Sequence, residues 1–408
     1  VYPQNHSDSK IDRKEWLQIR FSFLAPDLRQ MALFAGIRKG RFAAISVPFG
    51  YNILNRIDGM HSSELADLNF KSQSVSAKFI DPSGRIVERP IEIRTNPITG
   101  RTCRIAFSRI DEKEAGTESL PQTPPDAYDS RQCPFCRPQV TLNTPKLHPG
   151  LESSGRLRLG QSLLFPNLFP YGGYSAVSLF NNEHFVEIGT AACSSYADCF
   201  SNCVQYLAKV INSDPHAVYM AITQNHLPSA GGSLLHPHLQ INADRIPANH
   251  HRFLQQKANE FYLKSGGYLL SSYARHEKDE GSRYIGATGS WQWMSAFAPE
   301  GFFEIWGILP RVTSLQKPTA SDWTDLARGI INIQRFYRSL CRNGYNLGLL
   351  SIETPSSRLE LRIVILVRSN YAPWVRSDHT GFEVMLGDMA TFVPPEHTAE
   401  WARPFFAP

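Results

Sequence analysis

The stretch that most restricts this chain runs Asn225-His226-Leu227-Pro228-Ser229-Ala230-Gly231-Gly232-Ser233-Leu234-Leu235-His236-Pro237-His238-Leu239-Gln240-Ile241-Asn242. An apolar run from Val218 to Ile222 enters it, two adjacent glycines open a loop, and an alternating segment leaves it. In a strand, alternation puts His236, His238 and Gln240 on one face and turns Leu239 and Ile241 toward a core. Backbone amides near Gly231, Gly232 and Ser233 can approach an anion closely, because glycine has no side chain in the way. A neutral imidazole is a nucleophile toward phosphorus and titrates near neutrality, at about 6.5 in peptides. Two histidines so close suit two different roles, one holding a metal and the other attacking. The bland alternative is a strand with two half-buried, hydrogen-bonded histidines, and the adjoining Gly-Gly-Ser loop weighs against it.

A second informative element is Cys133-Pro134-Phe135-Cys136, whose short loop presents two sulfurs to one point and suits half of a tetrahedral Zn²⁺ site. A redox pair is the rival reading, but the broken, polar run from Pro138 to Pro149 is not the long helix such a motif requires. Seven cysteines in 408 residues do not make a secreted disulfide pattern, and the polar start, Val1 to Lys10, is unlike a signal peptide. A cytoplasmic setting is the resulting expectation. A net charge of +5 without a Lys/Arg block suits a small anionic substrate and argues against nucleic acid, and no apolar run is long enough to span a membrane.

Periodicity predicts a helix over 194–212 and strands over 175–180, 218–223 and 234–242, and with one more strand ahead of 175 the order is strand, strand, helix, strand, loop, strand. The order recurs downstream. Strands are predicted over 291–297 and 302–309, then a helix capped by Ser321-Asp322, then strands over 347–352 and 359–367. Upstream, 42–47 reads as a strand, and 74–80 and 85–93 read as two strands around the turn Asp81-Pro82-Ser83-Gly84.

His236-Pro237-His238-Leu239-Gln240, with Asn225 upstream, resembles the active-site segment of galactose-1-phosphate uridylyltransferase, a family of the histidine-triad superfamily. The resemblance covers residues 94 to 403, more loosely in the second half. It implies an α+β fold of tandem histidine-triad-like halves, antiparallel sheets flanked by helices, with a β-rich N-terminal extension. The corresponding divisions are 1–92, 93–247 and 248–408. It implies that Cys133, Cys136, His184 and His236 hold a structural zinc, that His238 is the nucleophile, and that Gln240 assists at the phosphate. Arg109, Phe165, Asn167, Asn225, Gly231, Gly232 and Ser233 would bind the nucleotide and its phosphates, with Phe165 and Asn167 as the base wall. Phe169, in the same loop, can instead be an apolar plug at the core edge.

The departures lie in the second half. Its register puts Leu350, Arg362 and Val364 where many members carry metal-binding histidines, and none of the three is a ligand type. Phe382 and Glu383 fall in the sugar-contacting segment, with phenylalanine where tyrosine is common and no clear equivalent of a following glutamine. The implied activity is nucleotidyl transfer from a nucleotide sugar to a sugar phosphate or phosphate, by a homodimer, through a nucleotidyl-histidine. The alternatives are a phosphorylase or hydrolase of dinucleoside polyphosphates or nucleotide sugars, and a zinc-stabilised nucleotide-binding module without turnover.

Overall fold

The computed structural model describes residues 68–106, 123–371 and 377–407. The strand expected over 42–47 and the candidate Arg109 lie outside these residues. Described by itself, the unit that begins at Arg56 holds both halves and the site.

Three strands, β1 (Lys71–Ile80), β2 (Ile86–Thr95) and β3 (Thr102–Ala106), precede a short helix, α1 (Gln139–Asn143). The expected turn at 81–84 joins β1 to β2. The first half then runs β4 (Leu157–Leu159), β5 (Ser162–Pro166), β6 (Tyr174–Leu179), α2 (Cys193–Ser213), β7 (Tyr219–His226) and β8 (His238–Asp244). After helices α3 (Asn249–Ser265) and α4 (Leu269–Glu280), the order repeats. It runs β9 (Tyr284–Thr288), β10 (Trp291–Ser295), β11 (Phe302–Leu309), α5 (Ala320–Ser339), β12 (Tyr345–Ile352) and β13 (Leu361–Val367). The chain ends with α6 (Gly381–Leu386), β14 (Met389–Thr391) and α7 (Pro395–Ala402).

The two halves share one ten-stranded sheet, in the order β4-β5-β6-β8-β7-β12-β13-β11-β10-β9. The seam is the antiparallel pair β7–β12, in which Asn225 opposes Asn346 and Thr223 opposes Gly348. Strand order is mirrored about that seam, as a duplication requires. The duplication extends to detail. Gly160 and Gly289 close the first hairpin of each half at φ of 53° and 55°. A Cβ on either would fall 1.9 Å from a carboxylate oxygen of that half's long helix, at Asp198 in α2 and Asp325 in α5. Only glycine tolerates both the dihedral and the approach.

One sheet face is covered by α2 and α5. Met220, Ile222, Leu239 and Ile241 of the first half and Leu347, Leu349, Ile363 and Ile365 of the second are buried beneath them. Apolar residues at three- and four-residue steps give α2 its inward stripe, with Cys199 and Cys203 buried in it as packing residues. The start of α5 corrects the expected cap: Thr319 accepts from the Asp322 amide (3.2 Å) and Asp322 accepts from the Thr319 amide (2.8 Å), a reciprocal box two residues before Ser321. On the second half's other face, α3 and α4 bring Leu254, Phe261, Leu270 and Tyr273 onto Met294, Trp306 and Ile308.

The smaller sheet has the order β1-β2-β3-β14, so residues 71–106 pair with the chain's last strand, parallel at β3–β14. It is anchored by a buried ion cluster. Arg94 pairs with Glu92 and Glu396 (both 2.8 Å), and Arg283 pairs with Glu277 (2.8 Å) and Glu396 (3.0 Å). Both guanidiniums lie over the Phe297 ring, at 4.9 and 5.0 Å. Removing one partner from a buried cluster leaves charge uncompensated, at a cost of about 3–5 kcal/mol. Glu396→Ala is therefore expected to lose about 3 kcal/mol in a urea melt, where a surface pair would lose under about 1.

Candidate active site

The first half's open face carries the site. Strand β8 begins at His238 rather than at 234, because Leu234 to Pro237 bend before entering the sheet. Alternation then turns His238, Gln240 and Asn242 to the open face, while Leu239 and Ile241 face α2. His236 lies ahead of the strand, in the bend, fully buried.

There His236 joins Cys133, Cys136 and His184, whose ligand atoms all lie within 4.8 Å of one another. Cys136 Sγ lies 3.4 Å from Nδ1 of His184 and 3.4 Å from Nδ1 of His236, and Cys133 Sγ lies 3.9 Å from the latter. Each ring's other nitrogen donates to a backbone carbonyl, His184 Nε2–H to Asp126 (2.9 Å) and His236 Nε2–H to Asn181 (3.1 Å). That tautomer leaves both Nδ1 lone pairs aimed at the centre, the arrangement a metal requires of its histidines. Burial, and then the neighbouring Cys133, push the Cys136 thiol well above its ordinary range. A cation at the centre would reverse this by stabilising thiolate. The residues can therefore hold a metal ion, and two sulfurs with two imidazoles form a closed tetrahedral set with no open position.

His238 is not one of the four. Its ring lies edge-on to Phe135, with centroids 5.4 Å apart, and its Nδ1–H donates to the His236 carbonyl (2.7 Å). The donation fixes the tautomer and leaves the Nε2 lone pair outward. Among the described residues Nε2 has no hydrogen-bond partner, and His238 is 7% exposed at the open face. Burial lowers the imidazole's pKa, partly offset by the carbonyl, which favours the neutral ring.

A polar chain crosses the seam beside it. Asn225 Nδ2 donates to Gln240 Oε1 (3.4 Å), Asn346 Nδ2 donates to Asn225 Oδ1 (2.7 Å), and Arg368 Nη1 donates to Asn346 Oδ1 (2.7 Å). Asp378 holds Arg368 in turn (2.6 Å). Asn346 and Arg368 belong to the second half and were missed by sequence reasoning, although alternation from Tyr345 would have set Asn346 on the open face.

The glycine loop needs a correction. The Gly231 amide donates to Pro228 O and the Gly232 amide to Leu227 O, both at 3.0 Å, so neither is offered to an anion. The Ser233 amide has no backbone partner among the described residues. The glycines shape the loop instead. Gly231 takes φ of 88°, and a Cβ on Gly232 would meet the carbonyl oxygens of Asn225 (2.9 Å) and Leu227 (3.0 Å). Gly232→Ala is thus expected to displace the backbone beside Asn225 and lower kcat by roughly 10- to 100-fold, with the fold retained by circular dichroism.

The other candidates are more dispersed. Phe165 is buried, packed edge-on beneath Phe135 at 5.3 Å and under Arg156 at 5.4 Å, so no ring face is open to a base. Asn167 accepts from the Phe169 amide (3.1 Å) in its own turn. Phe169, read as a possible core plug, is 75% exposed. Phe382 and Glu383 sit on α6. Glu383 accepts from the Thr380 amide (2.8 Å) as a helix cap, and Arg104 lies 5.8 Å from the Phe382 ring centroid. Glu383 lines a small cavity with Arg101 and His379, which none of the residues around His238 enters. Among the described residues no helix is long and apolar enough to cross a membrane.

No family model matches the chain. An uncharacterized protein of Archaeoglobus fulgidus is 28% identical over 337 residues, which is 82% of this chain and 98% of that protein. Among solved structures, an ADP-glucose phosphorylase from Arabidopsis thaliana with bound ADP-glucose is similar at TM-score 0.60 and 17% identity, over 77% of this chain and 98% of that one. A uridylyltransferase is similar at TM-score 0.56 and 20% identity, over the same shares. The chain thus shares the fold of that phosphorylase and that uridylyltransferase, here as two similar halves around one sheet.

Proposed function

We propose that this protein transfers a nucleoside monophosphate from a nucleotide sugar to a sugar phosphate, through a covalent nucleotidyl-histidine. The observation that carries this reading is the division of labour between neighbours. His236 faces two thiols and a second imidazole, while His238 keeps an unpartnered Nε2 at the open face.

In the first step Nε2 of His238 bonds to the α-phosphorus, and the P–O bond to the β-phosphate breaks. The sugar phosphate leaves with the electron pair. The Nδ1 proton stays on the ring, held by the His236 carbonyl. In the second step an acceptor phosphate oxygen bonds to phosphorus, and the N–P bond breaks to restore His238. Gln240 and the Ser233 amide would donate to the phosphoryl oxygens, and Asn225, which accepts from Asn346, would orient the ribose or phosphate. Phe165, Asn167 and Arg109 remain the proposed nucleotide-side residues. For Phe165 that role requires Phe135 to move aside. The four-residue cluster is proposed to hold a structural Zn²⁺, which would supply no chemistry beyond anchoring His236. The divisions at 92 and 247 and the homodimer are retained as part of this reading.

A phosphorylase reaction, with free phosphate as acceptor, is the second reading. It is favoured by Glu383, whose carboxylate is engaged in capping α6 rather than free for a hexose. The test is to label the protein with radioactive nucleotide sugars and dinucleoside polyphosphates and then add acceptors. Discharge by sugar phosphate supports the first reading, and discharge by inorganic phosphate the second. Absence of label from every donor refutes both.

A further inference from the structure

The second half's open face encloses a cavity of about 460 Å³ between the sheet and helices α3 and α4. It is of the size that holds a small ligand. Its walls are largely apolar, with Leu254, Leu270, Leu350, Leu359 and Val364 among them. With the opposed pair Thr223 and Gly348 as pivot, Arg362 takes the place that His238 has in the first half, and Val364 that of Gln240.

Two histidines, His250 and His379, also line this wall, and its carboxylates and guanidiniums are hydrogen-bonded or paired with one exception. Glu360 accepts from the amides of Leu270, Ser271 and Arg311 (2.8, 2.9 and 2.6 Å). Glu300 accepts from Thr99 (2.6 Å) and Arg101 (3.0 Å), and Glu304 from the Glu300 amide (2.6 Å) and the Trp306 indole. Arg368 pairs with Asp378. Arg362 is the exception. Its guanidinium stacks 4.2 Å from the Trp306 ring centroid, and its Nη1 is sealed from solvent with no hydrogen-bond partner. Glu304, Glu300 and Tyr273 are near enough to act on it electrostatically, but no hydrogen bond joins any of them to it. A sealed guanidinium N–H without an acceptor is costly, and the apolar chamber beside it leaves that bond to whatever enters.

We propose that this cavity is a second ligand site, which binds a small molecule with an apolar body and one phosphate or carboxylate, its anionic group paired with Arg362. This half would bind where the first half reacts. Asn346 and Arg368 of the seam network also line this cavity, but the inference rests on Arg362 and not on His238, so either can fail alone.

Phenyl phosphate and benzoate are the probes, with inorganic phosphate and benzyl alcohol as half-ligand controls, in calorimetric titrations of the full chain. Saturable binding of phenyl phosphate or benzoate is expected, at least tenfold tighter than either control. Arg362→Met should weaken it tenfold or more, Arg362→Lys should weaken it less, and His238→Ala should leave it unchanged. Leu350→Trp fills the chamber while keeping the charge, and should abolish binding. It decides the matter if Arg362→Met does not fold. No saturable binding to the unaltered protein, binding untouched by Leu350→Trp or by a folded Arg362→Met, or binding lost in His238→Ala would each overturn the proposal.

Discussion

Replacing His238 with alanine is expected to lower kcat by on the order of 10⁴-fold or more, while the metal content and the melting curve stay close to those of the unaltered protein. Both halves of that expectation come from geometry. Among the described residues Nε2 is the ring nitrogen without a hydrogen-bond partner, and its loss removes the atom that would bond to phosphorus. The ring lies outside the four-ligand cluster, so a metal keeps all four of its donors. At about 1.36 kcal/mol per factor of ten, the lost stabilisation of the transition state is about 5 kcal/mol or more. Folding loses only a ring packed against Phe135 and one hydrogen bond to a neighbouring carbonyl. Steady-state kinetics, metal analysis by mass spectrometry and a thermal melt check the three parts separately. Full activity in this variant would reject the mechanism.

If the four-residue cluster holds a metal as proposed, removing it is expected to have the larger effect on the fold. Cys136→Ser takes out the sulfur that approaches both imidazoles at 3.4 Å, leaving a buried cluster that cannot close around a cation. The consequence reaches the chemistry through one backbone atom. The His236 carbonyl orients His238, and His236 is held in its bend by the cluster and by Asn181. Loss of about 3–5 kcal/mol is expected, or on the order of 10 °C in the melting midpoint, together with most of the activity. Dialysis against a strong chelator should reproduce both effects, and added Zn²⁺ should restore them in the unaltered protein but not in the variant. A metal-to-protein ratio near zero in freshly purified, active protein would contradict this account of the cluster.

Much of the site was legible because its signals are short in range. The alternation of His238, Leu239, Gln240 and Ile241 predicts which side chains meet the core and which the open face, and β8 follows it. Cys133 and Cys136 could be paired with His184 and His236 only through a family resemblance, since nothing local ties residues so far apart. What stayed hidden depends on tertiary contacts. Alternation extended the strand back to 234, but Pro237 and the pull of His236 toward the cysteines break it there. The Gly-Gly pair suggests an anion cradle, yet the amide directions are set by Leu227, which takes φ of 74° and turns its carbonyl to both Ala230 and Gly232. Helices α3 and α4 were not anticipated, although Leu254, Ala258 and Phe261 carry a helical stripe. The network from Gln240 through Asn225 and Asn346 to Arg368 crosses the seam between halves, which no local pattern reveals.

The most direct measurement is intact-protein and peptide mass spectrometry after brief incubation with a nucleotide sugar and no acceptor, quenched at alkaline pH to preserve an N–P bond. The account predicts a mass gain of one nucleoside monophosphate, located at His238, lost in mild acid and absent from His238→Ala. Turnover of the donor with no adduct at any time point, or an adduct on a residue other than His238, would contradict it.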